Sequence, residues 1–177
     1  HWEWLSVGTE RLEWDIARVR LDRAMTPEAF SGWWDFRTAV VRAVDRGLRR
    51  AAQAFNRRPE VAGGQEPRFA AGIILCAMRF FTPDFSLGFR RFFEALPEAP
   101  ETEIQAAASL EVARAAARLR REEGLLVVGI DLAGQEKGYP AETHREAYQV
   151  AHEAFLGKTV HAGEDYGPES IFQAIGD

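Results

Sequence analysis

Apolar residues follow two rhythms along this chain. From Phe36 to Asn56, the residues Val40, Val44, Leu48, Ala51 or Ala52, and Phe55 recur at spacings of three and four, which predicts an amphipathic helix. Thr26-Pro27-Glu28 upstream is a helix-opening pattern: a capping hydroxyl, a proline at the first helical position, then an acid. Over Arg11–Val19, Leu12, Trp14 and Ile16 alternate with Glu13 and Asp15, the period of a possible strand. Phe69–Arg79 and Leu125–Leu132 are apolar at nearly every position, as a parallel strand buried on both faces should be. Cys76 and Met78 in the first of these runs are therefore expected in the core. Arg57–Pro67, with Pro59, Gly63, Gly64 and Pro67, is a loop.

Further along, Leu87–Leu96 is helical, Pro97–Pro100 breaks the chain, and Glu101–Glu123 is an alanine- and arginine-rich helix. Ala141–Phe155 is a helix with Ala147, Tyr148, Ala151 and Phe155 on its apolar face, and His144 and His152 are expected at its surface or in a groove. Lys158–His161 is a short strand, and Pro168-Glu169-Ser170 opens a last helix. Strands alternating with helices imply parallel βα units and an α/β fold. Periodicity does not choose between an open doubly wound sheet and a closed barrel. No G-x-G-x-x-G follows a strand and no G-x-x-x-x-G-K-[ST] occurs, which argues against a dinucleotide or P-loop fold.

Composition narrows the classes. The 177 residues suit one domain, but all five tryptophans lie within the first 34 positions, so the segment 1–35 differs from the rest. Asp and Glu total 27 against 22 Lys and Arg, a net charge of −5, so nucleic acid is not an expected partner. The arginine clusters Arg49-Arg50, Arg57-Arg58, Arg90-Arg91 and Arg118–Arg121 read as solvated helix faces. No apolar run approaches the roughly 18–20 residues of a membrane helix, so no membrane partner is expected. One cysteine excludes an internal disulfide and a multi-cysteine metal site. That cysteine and the absence of a visible signal peptide suggest a reducing, cytoplasmic location. The chain starts at His1 without a methionine, as a piece of a longer polypeptide would.

Candidate chemistry lies at two strand ends, where ligands sit in parallel α/β folds. One is Gly129-Ile130-Asp131-Leu132-Ala133-Gly134-Gln135-Glu136, and the other is Thr159-Val160-His161-Ala162-Gly163-Glu164 followed by Gly167-Pro168-Glu169-Ser170-Ile171. An imidazole at a strand end can bind a divalent metal, and a nearby carboxylate that is not a ligand can move protons. Together they suit metal-assisted hydrolysis, because the metal lowers the pKa of a bound water. Taken alone, His161 and Glu164 equally fit a strand cap and a loop acid, and Gly134 fits a turn glycine. Arg79, at a strand end, reads as a structural ion-pair residue.

In combination these motifs, in this order and spacing, closely resemble the adenosine deaminase family, most strongly over 69–177. The strand ending Leu75-Cys76-Ala77-Met78-Arg79 is similar to the family strand that precedes them. The resemblance implies a (β/α)8 TIM barrel, with this chain supplying roughly its middle four βα units. Pro97–Arg121 reads as an insertion, adding an extra helix near 101–123. The implied activity is zinc-dependent deamination of adenosine or a related purine nucleoside to the inosine product, with release of ammonia. Residue by residue, His161 matches a zinc ligand and Glu164 the general acid/base. Gly134 matches a glycine whose backbone N–H holds a purine ring nitrogen. Asp131 and Glu136 match pocket-shaping positions without individual roles.

The family's H-x-H zinc pair does not occur here, and its aspartate ligand would lie beyond Asp177. The chain is thus expected to be the central portion of a barrel, inactive in isolation and partnered by the rest of the same polypeptide or by a second copy. Two other readings stay open. One is an inactive deaminase-like scaffold or assembly subunit, against which the presence of Glu164 argues. The other is a related amidohydrolase acting on a different substrate.

Overall fold

Strand β1 (Ile73–Met78) pairs in parallel with β2 (Val127–Ala133), and β2 pairs in parallel with β3 (Gly157–Lys158). These strands belong to a computed structural model that describes residues 27–176, with side chains over 38–175. The possible strand at Arg11–Val19 and the side chains of all five tryptophans lie outside that description. The remaining elements are helices α1 (Pro27–Asn56), α2 (Pro59–Ala62), α3 (Leu87–Ala95), α4 (Glu101–Glu123), α5 (Arg145–Glu153) and α6 (Pro168–Gly176), with a 3-10 turn at Ala141–His144 leading into α5. The α/β reading holds, with a three-stranded parallel sheet among the described residues.

Parallel strands cannot be joined by a tight turn and need a long crossover. Helix α4 supplies it between β1 and β2, and it packs on both strands and on α5. Its ends suit that role: Glu101 and Glu103 lie in the first turn, Arg120 and Arg121 in the last, and Gly124 closes it in the left-handed conformation with φ 62°. Alanines let the two helices approach closely, and Ala113, Ala116, Ala147 and Ala151 are all 2% exposed or less. Leu119 of α4 and Val127 and Ile130 of β2 complete this core. Full burial of a side chain such as Leu119 or Ile130 contributes about 1.5–3 kcal/mol. The helix near 101–123 thus packs as a crossover helix between β1 and β2. Its alanines face inward and cover the sheet.

A register shift between Ile73 and Ile74 places Ile73 opposite Val127 but Ile74 opposite Gly129, so Val128 is an extra residue on β2. Beyond it, Ile130 and Leu132 join Val127 on the helix-covered face. Ile74, Cys76 and Val128 are exposed among the described residues. Here the reading of Cys76 as core is corrected. Alternation turns its side chain away from α4, and its sulfur lies 3.4 Å from Asp131 Oδ2.

Two further expectations shift. On α1 the inward stripe carries Thr38 and Asp45, while Val44 faces outward. Asp45 accepts from the Leu126 backbone N–H at 2.8 Å, and Arg49 pairs with it at 2.7 Å while donating to the Gly124 carbonyl. Polar contacts thus anchor α1 to the start of β2. Phe155 is 86% exposed rather than on the apolar face of α5. It lies past the helix end at φ 55°, and Leu156 takes the core position instead.

Candidate active site

The C-terminal ends of the three strands converge on one edge. Backbone bonds extend the pairing past the last strand residues: Arg79 N–H donates to the Ala133 carbonyl at 2.8 Å, Thr159 N–H to Ile130 at 3.0 Å, and His161 N–H to Leu132 at 2.9 Å. This extension carries His161 out of β3 to the rim, beside Asp131 of β2. His161 Nδ1 stands 3.2 Å from Asp131 Oδ2 and 3.3 Å from the Leu132 carbonyl oxygen. The Thr159 hydroxyl donates to the other Asp131 oxygen at 2.8 Å, and Tyr148 donates to the Thr159 carbonyl at 2.5 Å. The ring is thus held through Nδ1, which leaves Nε2 as the atom open to a ligand.

Past His161 the chain turns sharply. Gly163 has φ 85°, and a Cβ there would lie 2.8 Å from Ile171 Cδ1, so only glycine fits. The carboxylate of Glu136 accepts from the backbone N–H groups of Gly163 and Glu164, both at 3.0 Å. Ser170 at the start of α6 also bonds this carboxylate. Burial pushes the Glu136 carboxyl upward, but the two amides, the Ser170 hydroxyl and the Arg79 charge outweigh it and hold it below its ordinary value. Buried Arg79 donates to the Tyr139 carbonyl at 2.9 Å and to the His161 carbonyl at 2.6 Å.

Residues expected from the sequence to carry chemistry all reach this edge. His161 and Glu164 are exposed, as is Gly134, which turns the chain at φ 105° immediately after β2. His144, expected at the surface or in a groove, lies in the interior instead. It is buried at 1% exposure, its Nδ1 lies 3.0 Å from the Ser109 hydroxyl oxygen of α4, and burial and then the Arg79 charge pull its imidazole down to about 4. Sequence alone gives Glu136 no specific role and Arg79 only that of an ion-pair residue. Their position at strand ends was the available signal, but their contacts with the turn needed the fold.

These features define a parallel α/β protein with a histidine- and carboxylate-bearing site at its strand ends. A sequence model for adenosine deaminase matches residues 25–177, and the chain belongs to the adenosine deaminase family. Among similar proteins, an adenosine deaminase of Pseudoalteromonas translucida is 47% identical over 29% of this chain and 15% of its own length. Adenosine deaminase 1 of Streptomyces coelicolor is 46% identical over 40% of this chain and 17% of its own length. An adenosine deaminase of Pectobacterium atrosepticum is 53% identical over 28% of this chain and 14% of its own length. The matched part thus covers less than a fifth of each of these relatives. No solved structure matches the chain.

Proposed function

We propose that the protein containing this chain catalyses zinc-dependent hydrolytic deamination of adenosine or a related purine nucleoside, releasing ammonia and forming the inosine product. The observation that carries this reading is the placement of His161, Glu164 and Gly134 on one strand-end edge in a member of the adenosine deaminase family. His161 is a suitable metal donor because Asp131 and the Leu132 carbonyl engage its Nδ1. No group of three or more His, Cys, Asp or Glu side chains among the described residues could hold a metal. Catalytic zinc takes three protein ligands, so the other donors in this reading come from outside the described residues. When bound, zinc lowers the pKa of a water molecule toward neutrality.

The chain's own residues supply the remaining steps. Glu164 donates a proton to the purine ring nitrogen beside the amino-bearing carbon. Water adds to that carbon and one of its protons passes to the amino group, which leaves as ammonia; the other proton returns to Glu164 as the carbonyl of the product forms. The Gly134 N–H holds a second ring nitrogen and so fixes the orientation of the base.

In this reading the three-stranded sheet is an arc of a (β/α)8 barrel. The exposed face bearing Ile74, Cys76 and Val128 is the side that other strands of a closed barrel would enclose. No helix among the described residues is long and apolar enough to cross a membrane. A cytoplasmic location goes with the single cysteine, which is a free thiol.

The test is Glu164→Gln in the full-length protein. It should keep the fold and zinc content while abolishing ammonia release from adenosine. Turnover near the wild-type rate would overturn the role assigned to Glu164.

A further inference from the structure

His161, at the end of the extended pairing with β2, and Glu164, on the turn beyond it, carry exposed side chains. Packing of those side chains therefore cannot hold them in place. Two buried ionic residues grip the turn through its backbone instead. Arg79, 1% exposed, donates from Nη2 to the His161 carbonyl, and Glu136, 4% exposed, accepts the amides of Gly163 and Glu164. The same residues are tied to each other. Arg79 Nη1 donates to the Tyr139 carbonyl, and Tyr139 N–H donates to the Glu136 carbonyl at 3.0 Å. A closed circuit thus runs from the end of β1, through the loop after β2, to both ends of the His161–Glu164 turn.

Ionised partners explain the design. Burying a charge is costly unless it is well bonded, and here both Arg79 Nη atoms and both Glu136 carboxylate oxygens bond backbone groups of this region. Hydrogen bonds to an ionised group are shorter and roughly twice as strong as neutral ones. A carboxylate can accept two adjacent amides at once, whereas a carboxamide offers a single acceptor oxygen. The two residues also act on different parts of the turn: Arg79 bonds the residue bearing the imidazole, and Glu136 bonds the residue bearing the free carboxylate.

We propose that Arg79 and Glu136 are positioning residues for the deamination, Arg79 setting the metal-facing imidazole of His161 and Glu136 setting the proton-transferring carboxylate of Glu164. This rests on the deaminase reading given above. The partners of a metal site's ligands typically matter by about 10–100-fold in affinity or activity.

The experiment uses the full-length protein, loaded with zinc for kinetics and with Co2+ for visible absorption. Glu136→Gln should lower kcat by about 10–100-fold while KM and the Co2+ spectrum stay close to wild type. Arg79→Lys, which keeps the charge but loses the two-armed geometry, should weaken Co2+ binding by about 10-fold and shift its spectrum. A purely structural role would lower Tm in both variants without separating kcat from metal binding. Should Glu136→Gln fail to fold, Ser170→Ala removes one partner of the same carboxylate, and it should lower kcat in the same direction by less. Unchanged kcat in Glu136→Gln or, where that variant is insoluble, in Ser170→Ala overturns the role of Glu136. An unchanged Co2+ spectrum and affinity in Arg79→Lys overturns the role of Arg79. A wild-type protein that neither binds metal nor releases ammonia overturns the deaminase reading and this proposal with it; an active wild type matched by its variants overturns this proposal alone.

Discussion

Asp131 and His161 meet across neighbouring parallel segments, with Asp131 Oδ2 3.2 Å from His161 Nδ1. The Thr159 hydroxyl holds the second carboxylate oxygen at 2.8 Å, so the carboxylate is itself oriented. A carboxylate on the far nitrogen of a metal-binding imidazole fixes ring orientation and raises ligand basicity.

In the proposed zinc-dependent reaction, Asp131→Asn should therefore weaken zinc binding by the full-length protein about 10–100-fold, measured by competition with a chelator. An affinity equal to wild type would show that the Leu132 carbonyl alone orients the ring.

Gly129 sets the spacing that delivers this pair. A Cβ at Gly129 would lie 2.7 Å from the Gly157 carbonyl oxygen, which is backbone and cannot rotate away. Gly129→Ala must push β3 from β2 and shift His161 with it. The expected cost in thermal or urea unfolding of the full-length protein is about 1–3 kcal/mol, the usual price of overpacking. Metal affinity should fall as well. A variant with unchanged Tm and metal binding would mean that the β2–β3 pair yields without disturbing the rim.

His144 gives the fold a pH dependence. Its folded-state value of about 4 lies below the ordinary 6.5, first because burial penalises the charged ring. Between those values the unfolded chain takes up a proton that the folded chain does not. Stability is full above about pH 6.5, declines as pH falls toward 4, and levels off below it. The total loss from this residue is about 3 kcal/mol. His144→Gln, which cannot titrate, should flatten this part of a Tm-against-pH curve for the full-length protein. An unaltered slope would assign the acid sensitivity to other groups.

Much of this was legible in the chain itself. Helix Glu101–Glu123 has the predicted bounds, and helix Leu87–Ala95 ends one residue short of its predicted end. Both strands of the β1–β2 pair lie within or beside their apolar runs. The motifs around Gly134, His161 and Glu164 also pointed to one strand-end edge. These features are local: a helix or strand shows its period over a few turns, and a motif shows its spacing directly.

Other features depended on contacts between distant positions. Cys76 is in an apolar run, yet the bulge and the alternation of β1 turn it toward Asp131, 55 residues away. His144 is a polar residue on a helical segment, but its burial depends on Ser109 of α4. Phe155 fits a helical period that the chain abandons at a left-handed turn. The order of elements, the α/β class and the residue types at the strand ends are written locally in the chain, because backbone propensity and side-chain period act over short distances. What holds the His161–Glu164 turn depends on long-range folding: Arg79 reaches across 82 residues and Glu136 across 27 and 28. Buried charges must find partners wherever folding brings them, and no local pattern records which partners those will be.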